Sequence, residues 1–165
     1  MLTSLVLSSA LFARAQDVPA DKKAGGAAAR PAARSVLFMC PHGAAKSVLA
    51  AAYFKKRAKE RGLDVQADTM GTEPDPAVSP KVAQHLQAQG IAVPIDKPKL
   101  VTPKDLEAAD IVVTMGCDLG AMPVRGDLRR WDEVPSPSAD FEGTDAAIKR
   151  RVDALVDELL ERSRH

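Results

Sequence analysis

The chain has 165 residues and carries 23 lysines and arginines against 22 aspartates and glutamates, a formal net charge of +1. That balance excludes a nucleic-acid or membrane-surface protein that works through bulk electrostatics, and the length fits one domain plus an extension. Aromatic residues make up only 4% of the chain, so the core must rely on Val, Leu, Ile and Ala. Three histidines (His42, His85, His165) and two distant cysteines (Cys40, Cys117) show no metal-ligand spacing, so no metal site is expected.

Residues 2–12 are mostly apolar and too short to span a bilayer as a helix. Ala13-Arg14-Ala15-Gln16 follows, a small-x-small site of the kind signal peptidase accepts. No lysine or arginine precedes the apolar run. Three readings stay open: a weak signal peptide over 1–15, a start further upstream, or a frayed amphipathic tail. The first is preferred. It implies a periplasmic or secreted protein with no membrane span once mature; without a signal the location is cytoplasmic. Residues 16–34 are mainly Ala, Gly, Pro, Lys and Arg and read as a flexible linker, with one folded domain over 35–165.

Within that domain, the near-continuous apolar run 35–39 predicts a strand buried on both faces. A helix is expected over 46–61, with Gly62 at its left-handed C-cap and Lys and Arg in its last turn. Val65, Ala67 and Thr69 alternate with polar residues as a second strand would, and a proline-rich loop fills 71–78. Ser79-Pro80 is read as an N-cap and first helical residue, the helix ending at Gly90. Thr102-Pro103 repeats the signal for a short helix reaching about Ala109. Residues 110–115 form another buried-strand run and 128–131 a last short strand. Ile148, Val152, Leu155, Val156 and Leu159 fall at helical spacing and make a closing amphipathic helix. Strands alternating with helices predict a parallel sheet covered on both faces, with ligands bound beyond the C-terminal strand ends.

Cys40 stands at one such end. The residues Cys40-Pro41-His42-Gly43-Ala44-Ala45-Lys46-Ser47 take the chain from a strand, through small residues, into a helix. A strand feeding a tight loop at a helix N-terminus aims backbone N–H groups and the positive end of the helix dipole into one concavity. Such a nest binds a tetrahedral oxyanion and favours a thiolate at its rim. Cys40 is therefore read as a nucleophile facing a phosphate or arsenate held by residues 41–47. The competing reading is a buried cysteine that merely ends a core strand. His42 either donates to the anion or faces solvent. Lys46, at a helix start where a cation is disfavoured, is read as an oxyanion ligand rather than a solvated lysine. Met115 and Trp131 are read as packing residues.

The ordered set of segments resembles the low-molecular-weight protein tyrosine phosphatase superfamily, and more closely its thiol-dependent arsenate reductase branch. The resemblance is carried by Val36-Leu37-Phe38-Met39-Cys40 with His42, Ala44 and Ser47, and by Met70-Gly71-Thr72-Glu73-Pro74. It continues through Lys97-Pro98-Lys99-Leu100-Val101-Thr102, the run from Ala108 to Cys117, and Trp131-Asp132. It implies a three-layer α/β/α domain with a short central parallel sheet and no cofactor. It also implies that Cys40 is the nucleophile, that Ser47 is its hydrogen-bonding neighbour, and that Cys117 attacks the Cys40 adduct to form a disulfide.

Several positions depart from the family's pattern. Lys46 stands where the family has an arginine, which keeps the charge but loses the bidentate fork. Gly43 replaces an asparagine, and Ser136-Pro137 replaces the Asp-Pro pair that protonates the leaving group, a role a serine fills poorly. Asp132 and Asp140 are the nearby substitutes as general acid, each also readable as a surface carboxylate. Met122 stands where many reductases carry a third cysteine, which excludes a three-cysteine relay.

The resemblance leaves three functions open. The first is an arsenate reductase or phosphatase, the reductase drawing on an external thiol such as a thioredoxin-like protein or a low-molecular-weight thiol. The second is a catalytically impaired oxyanion-binding module. The third is a periplasmic thiol protein whose Cys40 and Cys117 pair reversibly, since an oxidising compartment favours that disulfide. No nucleic-acid partner is expected.

Overall fold

A computed structural model describes residues 33–164; the expected signal peptide and most of the expected linker lie outside the described residues. Strand β1 (Ser35–Cys40) forms from the apolar run, and Val36 to Cys40 are all buried. The absence of alternation follows from its position at the centre of a sheet covered on both faces. It pairs in parallel with β2 (Gln66–Gly71) on one side and β3 (Ile111–Thr114) on the other. Strand β4 (Asp127–Arg130) extends β3, giving a four-stranded parallel sheet in the order β2-β1-β3-β4. Cys40 registers with Gly71, and Met39 with Thr114, so the C-terminal ends of β1, β2 and β3 meet along one edge.

Among the described residues four helices cover the sheet: α1 (Lys46–Arg61), α2 (Pro80–Ala88), α3 (Pro103–Ala108) and α4 (Phe141–Ser163). The larger apolar cluster joins Val36, Phe38 and Cys40 to buried residues of α1, α2 and α4. Phe38 packs between Phe54 and Trp131 at centroid distances of 5.6 and 5.9 Å. A second cluster packs Leu37, Met39 and Val112 against Leu106 of α3, together with Cys117 and Leu119. Successive residues of β1 thus feed opposite clusters, and the three-layer α/β/α expectation holds. Met115 and Trp131 are core residues, as read from the sequence.

The element boundaries differ in instructive places. Strand β2 starts at Gln66 rather than Val65, because the Gln66 N–H donates to the Arg34 carbonyl at 2.8 Å and sets the register. Strand β4 runs one residue earlier than expected, which frees Trp131 to turn into the core. Helix α2 ends at Ala88, and Gly90 takes the left-handed conformation two residues on (φ 67°). Ser79 does not cap α2 with its side chain. Its main-chain N–H is held by the Ala44 carbonyl at 3.0 Å. Thr102 and Asp105, by contrast, form a complete capping box on α3. Residues just before β1 also make contacts: Ala33 packs on the core, and the Arg34 N–H donates to Asp110 Oδ2 at 2.8 Å.

Candidate active site at the end of the central strand

Strand β1 delivers Cys40 to a five-residue loop that opens directly into α1. The loop turns at Gly43, whose φ of 60° suits glycine, and its N–H donates to the Cys40 carbonyl at 3.3 Å. A Cβ at Gly43 would stand 2.9 Å from the Gly71 nitrogen, and one at Gly71 would stand 2.6 Å from the Gly43 nitrogen. The two backbones are in mutual contact with no room for a side chain on either. The segment after β2 is then stitched along the loop. Glu73, Asp75 and Ser79 donate their N–H groups to the carbonyls of Pro41, His42 and Ala44 at 2.8, 3.0 and 3.0 Å.

Those bonds engage the loop carbonyls and leave the helix entrance uncapped. Ala45 occupies the N-cap with no side-chain hydrogen bond, and the first turn of α1 contains no acidic residue. The positive end of the dipole therefore faces the loop uncompensated, as an anion site requires. Cys40 is 3% exposed and its Sγ lies 3.2 Å from the Oγ of Ser47, itself wholly buried. The hydroxyl can donate to a thiolate there, the charge-assisted form of such a bond.

Over the loop opens a cleft of about 500 Å³ lined by Cys40, Pro41, His42, Ala44, Ala45 and Lys46. Gly43 and Ser47 act from behind it, as the turn and the sulfur's neighbour. The cleft is also lined by Asp75, Ser79 and Lys81 after β2, and by Ser136, Pro137, Ser138 and Phe141 at the approach to α4. Lys46 reaches the Val134 carbonyl at 3.5 Å, and its Nζ would lie 3.4 Å from a Cβ at Gly116. The lysine thus crosses from the loop toward the ends of β3 and β4. His42 is exposed, with Nδ1 3.5 Å from Asp75 Oδ1 and 3.3 Å from the Glu73 carbonyl.

The structure does not gather every residue singled out from the sequence. Asp132 accepts the Gly116 N–H at 2.9 Å, and Asp140 caps α4 by accepting the Gly143 N–H at 2.8 Å. Neither lines the cleft. Cys117 is buried in the cluster beneath α3, while Cys40 belongs to the cluster on the other side; both are free thiols. Burial pushes the Cys117 thiol up, main-chain hydrogen bonding at Met115 works against the rise, and the charges of Cys40 and Asp132 add to it. Met122 packs against the Cys117 cluster. Asp75, Lys81 and Phe141 are cleft residues that pattern reading passed over. Asp75 sits in a proline-rich loop without periodicity, and no local signal places Phe141 opposite Cys40. Among the described residues no group of three His, Cys, Asp or Glu could hold a metal ion, and no helix is long and apolar enough to cross a membrane.

Fold and site together define an α/β protein whose central strand presents a buried thiol to an uncapped helix N-terminus beneath an open cleft. The low molecular weight phosphotyrosine protein phosphatase family matches residues 35–121, and the chain belongs to that family. It is 32% identical over 99 residues to a Halobacterium salinarum protein named as a candidate arsenate reductase, spanning 57% of this chain and 68% of that one. The thioredoxin-dependent arsenate reductase of Corynebacterium glutamicum superposes with a TM-score of 0.67 at 25% identity, over 79% of this chain and 64% of that one. The low molecular weight phosphotyrosine phosphatase of Vibrio cholerae O395 superposes with a TM-score of 0.68 at 25% identity, over 78% of this chain and 98% of that one.

Proposed function

We propose that the chain is a cysteine-dependent enzyme in which the Cys40 thiolate attacks a tetrahedral oxyanion held by the loop amides and Lys46. The observation that carries this reading is the contact of Cys40 Sγ with the buried Ser47 hydroxyl at 3.2 Å, beside the uncapped start of α1. With arsenate, Cys40 forms a sulfur–arsenic bond as an oxygen departs as water. A second thiol then attacks the Cys40 sulfur, the arsenic takes the two electrons and leaves as arsenite, and a disulfide remains. The second thiol is Cys117 or an external one. In either case an external thiol, a thioredoxin-like protein or a low-molecular-weight thiol, returns the disulfide to two thiols.

The cleft supports a second reading, hydrolysis of a phosphate monoester. Its 500 Å³ and its wall of Pro137 and Phe141 provide room and apolar contact for an organic leaving group. Fully reduced protein should be assayed with an aryl phosphate, and separately with arsenate plus thiol, beside Cys40→Ser. Cys40-dependent arsenite formation supports the reductase, and Cys40-dependent ester hydrolysis alone supports the phosphatase. Oxyanion binding without either turnover supports an impaired binding module instead. The apolar segment and the small-x-small site before Gln16 further support export, which N-terminal sequencing of the mature protein tests.

A further inference from the structure

A proton is left unassigned by this chemistry. When the Cys40 sulfur bonds to phosphorus or arsenic, the departing oxygen must be protonated or it leaves slowly. The carboxylates nearest in sequence to the family's Asp-Pro position do other work: Asp132 binds the Gly116 amide, Glu133 pairs with Arg151, and Asp140 caps α4. The hydroxyls of Ser136 and Ser138, 2.8 Å apart on the cleft wall, are too weakly acidic, and an alkylammonium is in general a far weaker acid than a carboxyl group. Among the described residues one carboxyl group lines the cleft that holds Cys40, and it is Asp75.

Asp75 is held there by construction. Its N–H donates to the His42 carbonyl at 3.0 Å, two residues after Cys40, and the Glu73 N–H donates to the Pro41 carbonyl at 2.8 Å. Pro76 follows and restricts the backbone of Asp75 itself. The Asp75 carboxylate also lies 3.5 Å from His42 Nδ1. We propose that Asp75 is the general acid that protonates the leaving oxygen, and that His42 is a positioning residue holding the carboxyl over the cleft. The assignment rests on the Cys40 reading above.

With a phosphate monoester, the Cys40 thiolate forms the S–P bond as the ester P–O bond breaks, and the alcohol leaves with the proton of Asp75. The Asp75 carboxylate then takes a proton from water as that oxygen attacks phosphorus. The S–P bond breaks, and phosphate and the Cys40 thiolate are restored. With arsenate the same proton turns the departing hydroxide into water.

The test uses the full reduced chain and a series of aryl phosphates from p-nitrophenyl to phenyl phosphate, with Cys40→Ser, Asp75→Asn, Asp75→Glu and His42→Gln. Asp75→Asn should lose ~10²–10⁴-fold in kcat/KM on phenyl phosphate, the constant that reports the S–P bond-forming step alone. It should lose little on the p-nitrophenyl ester, whose leaving group needs no proton, and competitive inhibition by inorganic phosphate should persist. Asp75→Glu should recover part of the loss. His42→Gln should shift the pH profile while keeping the shallow leaving-group dependence. Equal loss across the series, no loss, or loss of phosphate inhibition in Asp75→Asn overturns the assignment. So does a steep dependence that appears in His42→Gln instead. A wild type without Cys40-dependent turnover of any ester or of arsenate overturns the Cys40 reading and the Asp75 role together. Cys40-dependent turnover with an unaltered Asp75→Asn series removes only the latter.

Discussion

The sulfur of Cys40 and the hydroxyl of Ser47 meet at 3.2 Å across the mouth of a helix whose N-cap, Ala45, makes no side-chain capping hydrogen bond. One residue ends a strand and the other lies in the first turn of α1, so the loop between them and the segment stitched along it set their distance. Both are buried, which makes the hydroxyl the polar side-chain partner of the sulfur.

Ser47→Ala should therefore slow the reaction of Cys40 with iodoacetamide at neutral pH. A hydrogen bond to a charged group contributes about 1.5–3 kcal/mol, so a loss of roughly tenfold or more is expected. Alkylation followed by mass spectrometry checks it. An unchanged rate would show that the helix dipole and loop amides suffice.

Gly71→Ala should damage the loop although it lies on a different strand. Its Cβ would stand 2.6 Å from the Gly43 nitrogen and 2.7 Å from the Pro41 carbonyl oxygen. Overpacking of this kind costs typically about 1–3 kcal/mol, and here the strain falls on the loop that holds the oxyanion. A lower Tm together with weakened inhibition by phosphate is expected. Gly62→Ala is the control: a Cβ there meets nothing within 4 Å, so it should lower Tm through its φ of 67° and leave phosphate inhibition intact.

Cys117 should label much more slowly than Cys40, because burial pushes its thiol up. Cys117→Ser should reduce arsenite formation more than ester hydrolysis if Cys117 resolves the adduct. Paired assays on one preparation give the ratio, and an equal effect on both would assign resolution to an external thiol.

A polar cluster ties α1, α2 and α4 together at Asp145, which accepts from Tyr53 and from Lys149 (2.7 Å) and lies 3.0 Å from His85 Nε2. Burial opposes the Asp145 carboxylate, but the hydrogen bonds from Lys149 and Tyr53 and the charges of Lys149 and His85 outweigh it and hold its pKa below the usual range. A depressed carboxylate stabilises the fold above its unfolded value, ~3.9, and the benefit disappears as pH falls through the folded value. Burial and the bond to Asp145 push the Tyr53 phenol upward, so its contribution holds below about 10 and is lost as pH rises beyond. Asp145→Asn should cost about 1.5–3 kcal/mol at neutral pH and flatten the acid limb of Tm against pH. An unchanged acid limb would place the dependence elsewhere.

Thr69 is fully buried in β2, and its hydroxyl has no hydrogen-bond partner. Thr69→Val keeps the shape and removes the orphaned group, so a gain of about 1–2 kcal/mol is expected in urea unfolding. A loss of stability would show that the hydroxyl is satisfied in solution.

The local part of this architecture was legible in the chain itself. The unbroken burial of Val36 to Cys40, the Thr102–Asp105 capping box and the left-handed Gly62 follow from residue chemistry acting over one or two turns. Strand ends were less legible, because pairing partners set them: β2 begins where Gln66 finds the Arg34 carbonyl. The same reason separates Ser79 from Thr102. Both precede a proline, yet only Thr102 caps its helix, since the Ser79 backbone is engaged by Ala44 across the cleft loop.

What the sequence by itself determined is a buried strand ending in a thiol, a small-residue loop, and a helix start with a lysine and a serine, because each is written in neighbouring residues. Only the tertiary structure decided which carboxyl shares the cleft with the thiol. Asp132 and Asp140 lie near the expected position along the chain, but a main-chain amide and a helix start engage them. Asp75 lies 35 positions from Cys40 in sequence, yet the parallel pairing of β1 with β2 and the hydrogen bonds to Pro41 and His42 carry it to the cleft. Hydrogen bonds between segments distant in the chain made that placement, and no periodicity of residues encodes it.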